Sequence, residues 1–144
     1  MHGVSDNSLG NGVLGENFSG GGAGVAGASG TGVAVLGDSP NGTGVSGESA
    51  NGTGVSATGQ TALRVAGPAV FDRSGRLTIS AGKASATQTG IFLTAASLVL
   101  ATVQQNLSGV YVRAAVPNVA GDSFTVYLSK APSVSAKVAW FVVN

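Results

Sequence analysis

Two adjacent stretches, Val35-Leu-Gly-Asp-Ser-Pro-Asn-Gly-Thr-Gly44 and Val45-Ser-Gly-Glu-Ser-Ala-Asn-Gly-Thr-Gly54, are close copies of one ten-residue unit. A decad opening on one aliphatic residue expected to face inward, with a glycine two places on, an outward acid and an Asn-Gly corner, cannot build a core of its own. It has to stack against copies of itself. The register extends in both directions. Val55-Ser-Ala-Thr-Gly59 begins a degraded copy and Val25-Ala-Gly-Ala-Ser29 a shortened one. Val13-Leu-Gly-Glu-Asn17 precedes an irregular run at Gly20, Gly21 and Gly22, and Val4 opens a first, nine-residue unit. Within each unit the first Val is expected to point inward, the next residue outward and the following Gly inward, the period-two alternation of a short strand. The pairs Asn41-Gly42 and Asn51-Gly52 are expected to turn the chain through positive φ.

Such a unit is too poor in apolar surface to fold alone. Burying one Val contributes about 1.5–3 kcal/mol, whereas ordering each residue costs about 1–2 kcal/mol. Three chains wound about one axis would bring three valines together in each layer, with Val25, Val35, Val45 and Val55 as the axial residues, and would satisfy backbone groups by ladders between chains. A flexible Gly/Ser linker is the alternative, but linkers need no register.

Composition changes sharply near residue 60. Residues 1–62 hold 18 of the 24 glycines and one aromatic, Phe18; the remainder holds 6 glycines, both tyrosines, the only tryptophan and four of the five phenylalanines. The first part carries Asp6, Glu16, Asp38 and Glu48 with no Lys or Arg, a charge of −4. The second carries Arg64, Arg73, Arg76, Lys83, Arg113, Lys130 and Lys137 against Asp72 and Asp122, a charge of +5, and the two sum to the chain's +1. A dispersed excess of this size does not point to nucleic acid, which needs clustered Lys/Arg. No stretch reaches the roughly 18 apolar residues of a membrane span, and the N-terminus lacks the basic-then-apolar pattern of a signal peptide. A soluble chain without membrane insertion is expected, read as the C-terminal piece of something longer or as a protein attached elsewhere through its N-terminus. The absence of cysteine removes disulfides and thiol chemistry.

From residue 61 the pattern becomes that of compact strands. Thr61-Ala-Leu-Arg-Val65 leads to Pro68 and then to an expected hairpin, 69–71 against 76–79, turning at 72–75. Further β-rich runs occupy 84–89, 97–103, 110–116, 123–128 and 137–143, separated by Gly109, Pro117-Asn118, Gly121-Asp122 and Pro132. The stretch 91–100 reads equally as a short helix or a strand. Five or six strands at this spacing predict a small antiparallel sandwich. The expected organisation is a shaft over 1–60, a hairpin neck over 61–82 and a knob over 83–144. The fold class is all-β, a trimeric intertwined β-helical shaft followed by a small antiparallel β-sandwich knob.

The Gly-Val-x-Gly-x-Ser repeat, the Ala-Val-Phe-x-x-Ser-Gly-x-Leu-x-Ile segment and the ending Lys137-Val-Ala-Trp-Phe-Val-Val-Asn144 together resemble the distal parts of trimeric bacteriophage tail fibres and related bacterial surface fibres. The final strand also resembles the Trp-containing last strand of trimeric H-type lectin domains, although no motif fixes that family's sugar-contacting positions here. The resemblance implies a homotrimer on a virion tail fibre or at a cell surface, with a cell-surface receptor or glycan as partner.

The chain offers little to catalysis or cofactor binding. Gly22-Ala-Gly-Val-Ala-Gly27 and Gly42-Thr-Gly-Val-Ser-Gly47 match the dinucleotide fingerprint, but that motif works only where a helix opens behind it, and the repeat generates the match by itself. Gly82-Lys83 lacks the rest of a phosphate loop, and Gly20-Gly-Gly22 lacks the Asp of a calcium-binding nonapeptide. His2 is the single histidine, and Asp72 and Asp122 read as turn residues rather than as the carboxylate pair a glycosidase needs. The Asn-x-Ser/Thr sequons at Asn17, Asn41, Asn51 and Asn106 are those expected by chance in such a composition. No catalytic, cofactor or metal residue is therefore assigned.

Tyr111, Arg113, Tyr127 and Lys130 are the candidate receptor contacts. Regular alternation would place Tyr111 and Arg113 on one face and Tyr127 opposite Lys130, and Tyr and Arg favour recognition surfaces. Their alternative role is as core or subunit-interface residues; Trp140, flanked by Val138 and Val142, reads as core. The expected function is a non-enzymatic fibre tip that trimerises and attaches to a receptor. The alternatives are a trimerisation clamp without ligand, a glycan hydrolase, and an ice-binding solenoid, for which only Thr43 and Thr53 stack in register.

Overall fold

A computed structural model describes residues 13–18 and 21–144. The expectations placed on His2, Val4, Asp6 and Gly20 lie outside the described residues. The chain divides into two units, Met1–Ala62 and Leu63–Asn144.

In the first unit the ten-residue period of the sequence becomes a period of the backbone, with bends at 30–32, 40–42 and 50–52. A serine marks each corner. Ser29 Oγ accepts from the Gly32 N–H at 2.9 Å, and Ser39 and Ser49 place their hydroxyls 3.0 and 3.2 Å from where a Cβ on Gly42 and Gly52 would stand. The corners turn without positive φ at Gly42 or Gly52, contrary to the sequence expectation. A Cβ at either glycine would instead sit tightly against the serine hydroxyl, which would have to give by a few tenths of an ångström. After each corner the chain returns against itself. A Cβ on Gly15, Gly27, Gly37 or Gly47 would collide with Val25, Val35, Val45 or Val55, the valine that opens the next unit, and with the preceding carbonyl. No strand forms among the described residues of this unit, so the expected short strands are absent within one chain. The returning segments meet closely around a few glycines, Gly44 over the Gly37 carbonyl and Gly54 over the Gly47 carbonyl among them.

The second unit is all-β. Its strands are β1 (Ser74–Ile79), β2 (Ser85–Thr89), β3 (Leu98–Val103), β4 (Val112–Asn118), β5 (Ser123–Leu128) and β6 (Ala136–Val143). They form two three-stranded antiparallel sheets, ordered β1-β6-β3 and β2-β5-β4. One turn of 3-10 helix, Val119–Gly121, joins β4 to β5. Among the described residues no helix is long and apolar enough to cross a membrane.

Alternation explains which residues meet between the sheets. Val138, Trp140 and Val142 of β6 face Phe124, Val126 and Leu128 of β5, with Ile79, Leu93 and Ala136 completing the buried core. The Trp140 and Phe124 rings meet edge to face at 5.2 Å. Gly75, read from sequence as a turn residue, lies within β1 opposite Trp140, where an added Cβ would stand 2.9 and 3.1 Å from indole carbons.

The expected hairpin of 69–71 with 76–79 does not form. β1 pairs with β6, in the register Leu77↔Val138 and Ile79↔Ala136, and so the segment expected as a neck contributes a strand to the sandwich. β6 wins because both of its faces are apolar, so it buries Leu77 and Ile79 on the core side as a three-residue segment ending in a turn cannot. Phe71 instead lies beside Phe141, ring centroids 5.1 Å apart. The ambiguous stretch 91–100 is a turn at 95–96 followed by the start of β3.

Candidate functional site

The four residues singled out for recognition lie on β4, β5 and the segments that border them. Tyr111 is exposed just before β4, tied to the end of β5 by the Ser129 N–H donating to its carbonyl (2.9 Å) and its own N–H donating to Ser129 Oγ (3.2 Å). Arg113 is the extra residue of a β-bulge between Val112 and Ala114. Val112, between the exposed Tyr111 and Arg113, is half-buried, and the register of β4 against β5 shifts at this point. Tyr127 is half-buried on the outer side of the second sheet between Ser85 and Ala114, in a row of small and hydroxylated side chains where Thr87 and Thr125 share a 2.8 Å hydrogen bond. β5 ends at Leu128, so no strand alternation relates Tyr127 to Lys130.

Lys130 has a setting of its own. The β3–β4 connection and the β5–β6 connection enclose a cleft of about 320 Å³. Leu107, Val110, Ala131 and Pro132 are its apolar members, and Asn106, Ser108, Ser133 and Lys130 its polar ones. The loops are tied at several points. Ser129 Oγ donates to the Gly109 carbonyl (2.9 Å), the Val110 N–H to the Leu107 carbonyl (3.0 Å), and the Gly82 N–H to the Pro132 carbonyl (2.8 Å). At the base, the Lys137 N–H donates to Gln105 Oε1 at 2.6 Å and the Gln104 N–H to the Lys137 carbonyl at 2.8 Å. Gly109 takes φ +67°, and a Cβ there would stand 3.0 Å from Lys130 Nζ. The sequence marked Gly109 and Pro132 only as punctuation and Asn106 only as a chance sequon; nothing local signals that two loops 20 residues apart or more meet.

The outer face of the first sheet is the second notable surface. Alternation leaves Leu98 and Leu100 of β3 pointing away from the core, 64% and 56% exposed, beside Phe141 and Val143 of β6. Phe71, half-exposed, continues this apolar surface next to Phe141. At one end, Ser97 is a buried polar hub: its hydroxyl receives the Thr94 N–H (2.8 Å) and an Arg73 guanidinium N–H (3.1 Å) and donates to Asn144 Oδ1 (2.7 Å).

The two acids of this unit have structural settings. Asp122 caps the 3-10 turn in the left-handed region, and its carboxylate accepts from the Leu93 N–H at 3.3 Å; Asp72 occupies a turn before β1. Among the described residues no three His, Cys, Asp or Glu side chains gather to hold a metal ion. After Gly27 and Gly47 the chain runs into the next repeat unit rather than into a helix. No protein-family model, curated protein or solved structure matches the chain.

Proposed function

We propose that this chain is the distal part of a non-enzymatic homotrimeric fibre, with the decad repeat as shaft and the sandwich as a knob that attaches to a cell-surface receptor, a glycan being the favoured class. The observation that carries this reading is the contrast within the repeat. Four glycines are approached too closely to accept a Cβ, so the backbone path is tightly specified, yet Val25, Val35, Val45 and Val55 remain 67–69% exposed. A scattered exposed valine is ordinary; four at one register form a row that a single chain leaves uncovered. Threefold association about that row would bury it and supply the missing ladder partners. The outer face of the first sheet, with Leu98, Leu100, Phe141 and Val143, offers a second surface to the same copies.

Attachment would then be multivalent, three weak sites gaining avidity through effective concentration. Such a role implies a place on a virion tail or at a cell surface. The apolar sheet face also favours a second reading, a trimerisation clamp that binds nothing. Sedimentation equilibrium should return three times the 13.9 kDa chain mass, and a monomer would end the proposal. Arg113→Ala and Tyr127→Ala then separate attachment from clamp: attachment predicts weaker binding to a glycan array with a Tm changed by only a few degrees. The clamp predicts no glycan binding by the parent chain and a lower Tm for Tyr127→Ala.

A further inference from the structure

We infer that the cleft between the β3–β4 and β5–β6 connections is a binding site for one acidic sugar residue, a pyranose bearing a carboxylate or a sulfate, with Lys130 as the anion-binding group. The assignment rests on the attachment reading above and narrows its ligand class.

Size comes first. At about 320 Å³ the cleft lies at the small end of the roughly 300–1,000 Å³ range of ligand sites, which suits a single sugar ring rather than an extended chain. Its lining is mixed in the way a sugar requires. Leu107, Val110 and Pro132 can receive the C–H face of a ring, while the hydroxyls of Ser108 and Ser133 and the amide of Asn106 can exchange hydrogen bonds with ring hydroxyls.

Charge decides the class. Lys130 makes no hydrogen bond or ion pair with any described residue, so its three N–H donors are available. Neither acid of the unit lines the cleft, and Asp122 is engaged with the Leu93 N–H. The ammonium lies over Gly109, where the missing Cβ leaves it room. The two walls are joined through Ser129, so little ordering would be needed on binding.

The test is a titration of the full chain followed by backbone amide chemical shifts. The probes are glucuronic acid and galactose 6-sulfate, against glucose and galactose as neutral sugars and sodium acetate as a bare anion. The two acidic probes separate carboxylate from sulfate as the preferred group. Shifts confined to residues 106–110 and 130–133, and weakening as salt rises, are expected for at least one acidic sugar. Lys130→Gln should bind it about tenfold more weakly, as expected for loss of a charged hydrogen-bond partner, with Tm unchanged. Lys130→Arg should keep most of the affinity.

Equal binding of neutral sugars, acetate binding as tightly as the acidic sugars, or full affinity in Lys130→Gln would overturn the assignment. If the chain still binds neutral members of a glycan array in any of those cases, the attachment reading stands without this cleft. Failure to bind any glycan overturns both.

Discussion

Gly75→Ala tests how the sandwich core is fitted together. The new Cβ would stand 2.9 and 3.1 Å from two carbons of the Trp140 indole, whereas carbon atoms rest best at about 3.5–4.0 Å. The ring would have to retreat by about half an ångström or more. It has little space for that, being 7% exposed and held edge-on against the fully buried Phe124 at 5.2 Å. Overpacking of this kind costs about 1–3 kcal/mol, while replacing glycine returns about 0.4–1 kcal/mol through the unfolded chain. The net loss should be about 1–2 kcal/mol, and each kcal/mol corresponds to about 4–8 °C in Tm for a unit of this size. Thermal unfolding followed by far-UV circular dichroism, at one fixed protein concentration, measures it. A double-mutant cycle sharpens the result. In a Trp140→Phe background the clashing indole atoms are gone, so Gly75→Ala should cost close to nothing, a coupling of about 1 kcal/mol. If Gly75→Ala leaves Tm unchanged, or costs the same in both backgrounds, Gly75 is not the complement of Trp140.

Three further outcomes follow from the same contacts. Val45→Asp would gather three carboxylates at an apolar axis, where desolvation and mutual repulsion both oppose assembly; sedimentation should show partial or complete dissociation, and an unchanged trimer would remove Val45 from the axis. Leu100→Asp, at a position already exposed in one chain, should leave secondary structure by circular dichroism intact while lowering the assembled mass; no change in mass would mean that the outer sheet face is not a subunit contact. Ser97→Ala withdraws one hydroxyl from the Thr94 N–H, Arg73 and Asn144 and should cost about 1–3 kcal/mol by denaturant unfolding, a cost under about 0.5 kcal/mol contradicting its role as a hub.

The sequence by itself determined the features that depend on local spacing. The ten-residue period reappears as bends at the same register, and the runs 84–89, 97–103, 123–128 and 137–143 become β2, β3, β5 and β6 within a residue or so. The apolar run 137–143 marked β6 as a strand, and Trp140, between Val138 and Val142, lies in the core as expected. Each of these is legible because side chains on a strand alternate with period two whatever strand lies next to them. Pairing is different. Whether residues 76–79 close onto 69–71 or onto β6 is a competition between a short local turn and a distant strand, and the distant strand wins by the apolar area it covers. Other non-local packing gave Gly75 its role under Trp140, put a register shift at Arg113, turned Leu98 and Leu100 outward, and brought Lys130 over Gly109. None of these has a local signature, because each is fixed by what lies across a sheet or a cleft rather than by the residues on either side in the chain.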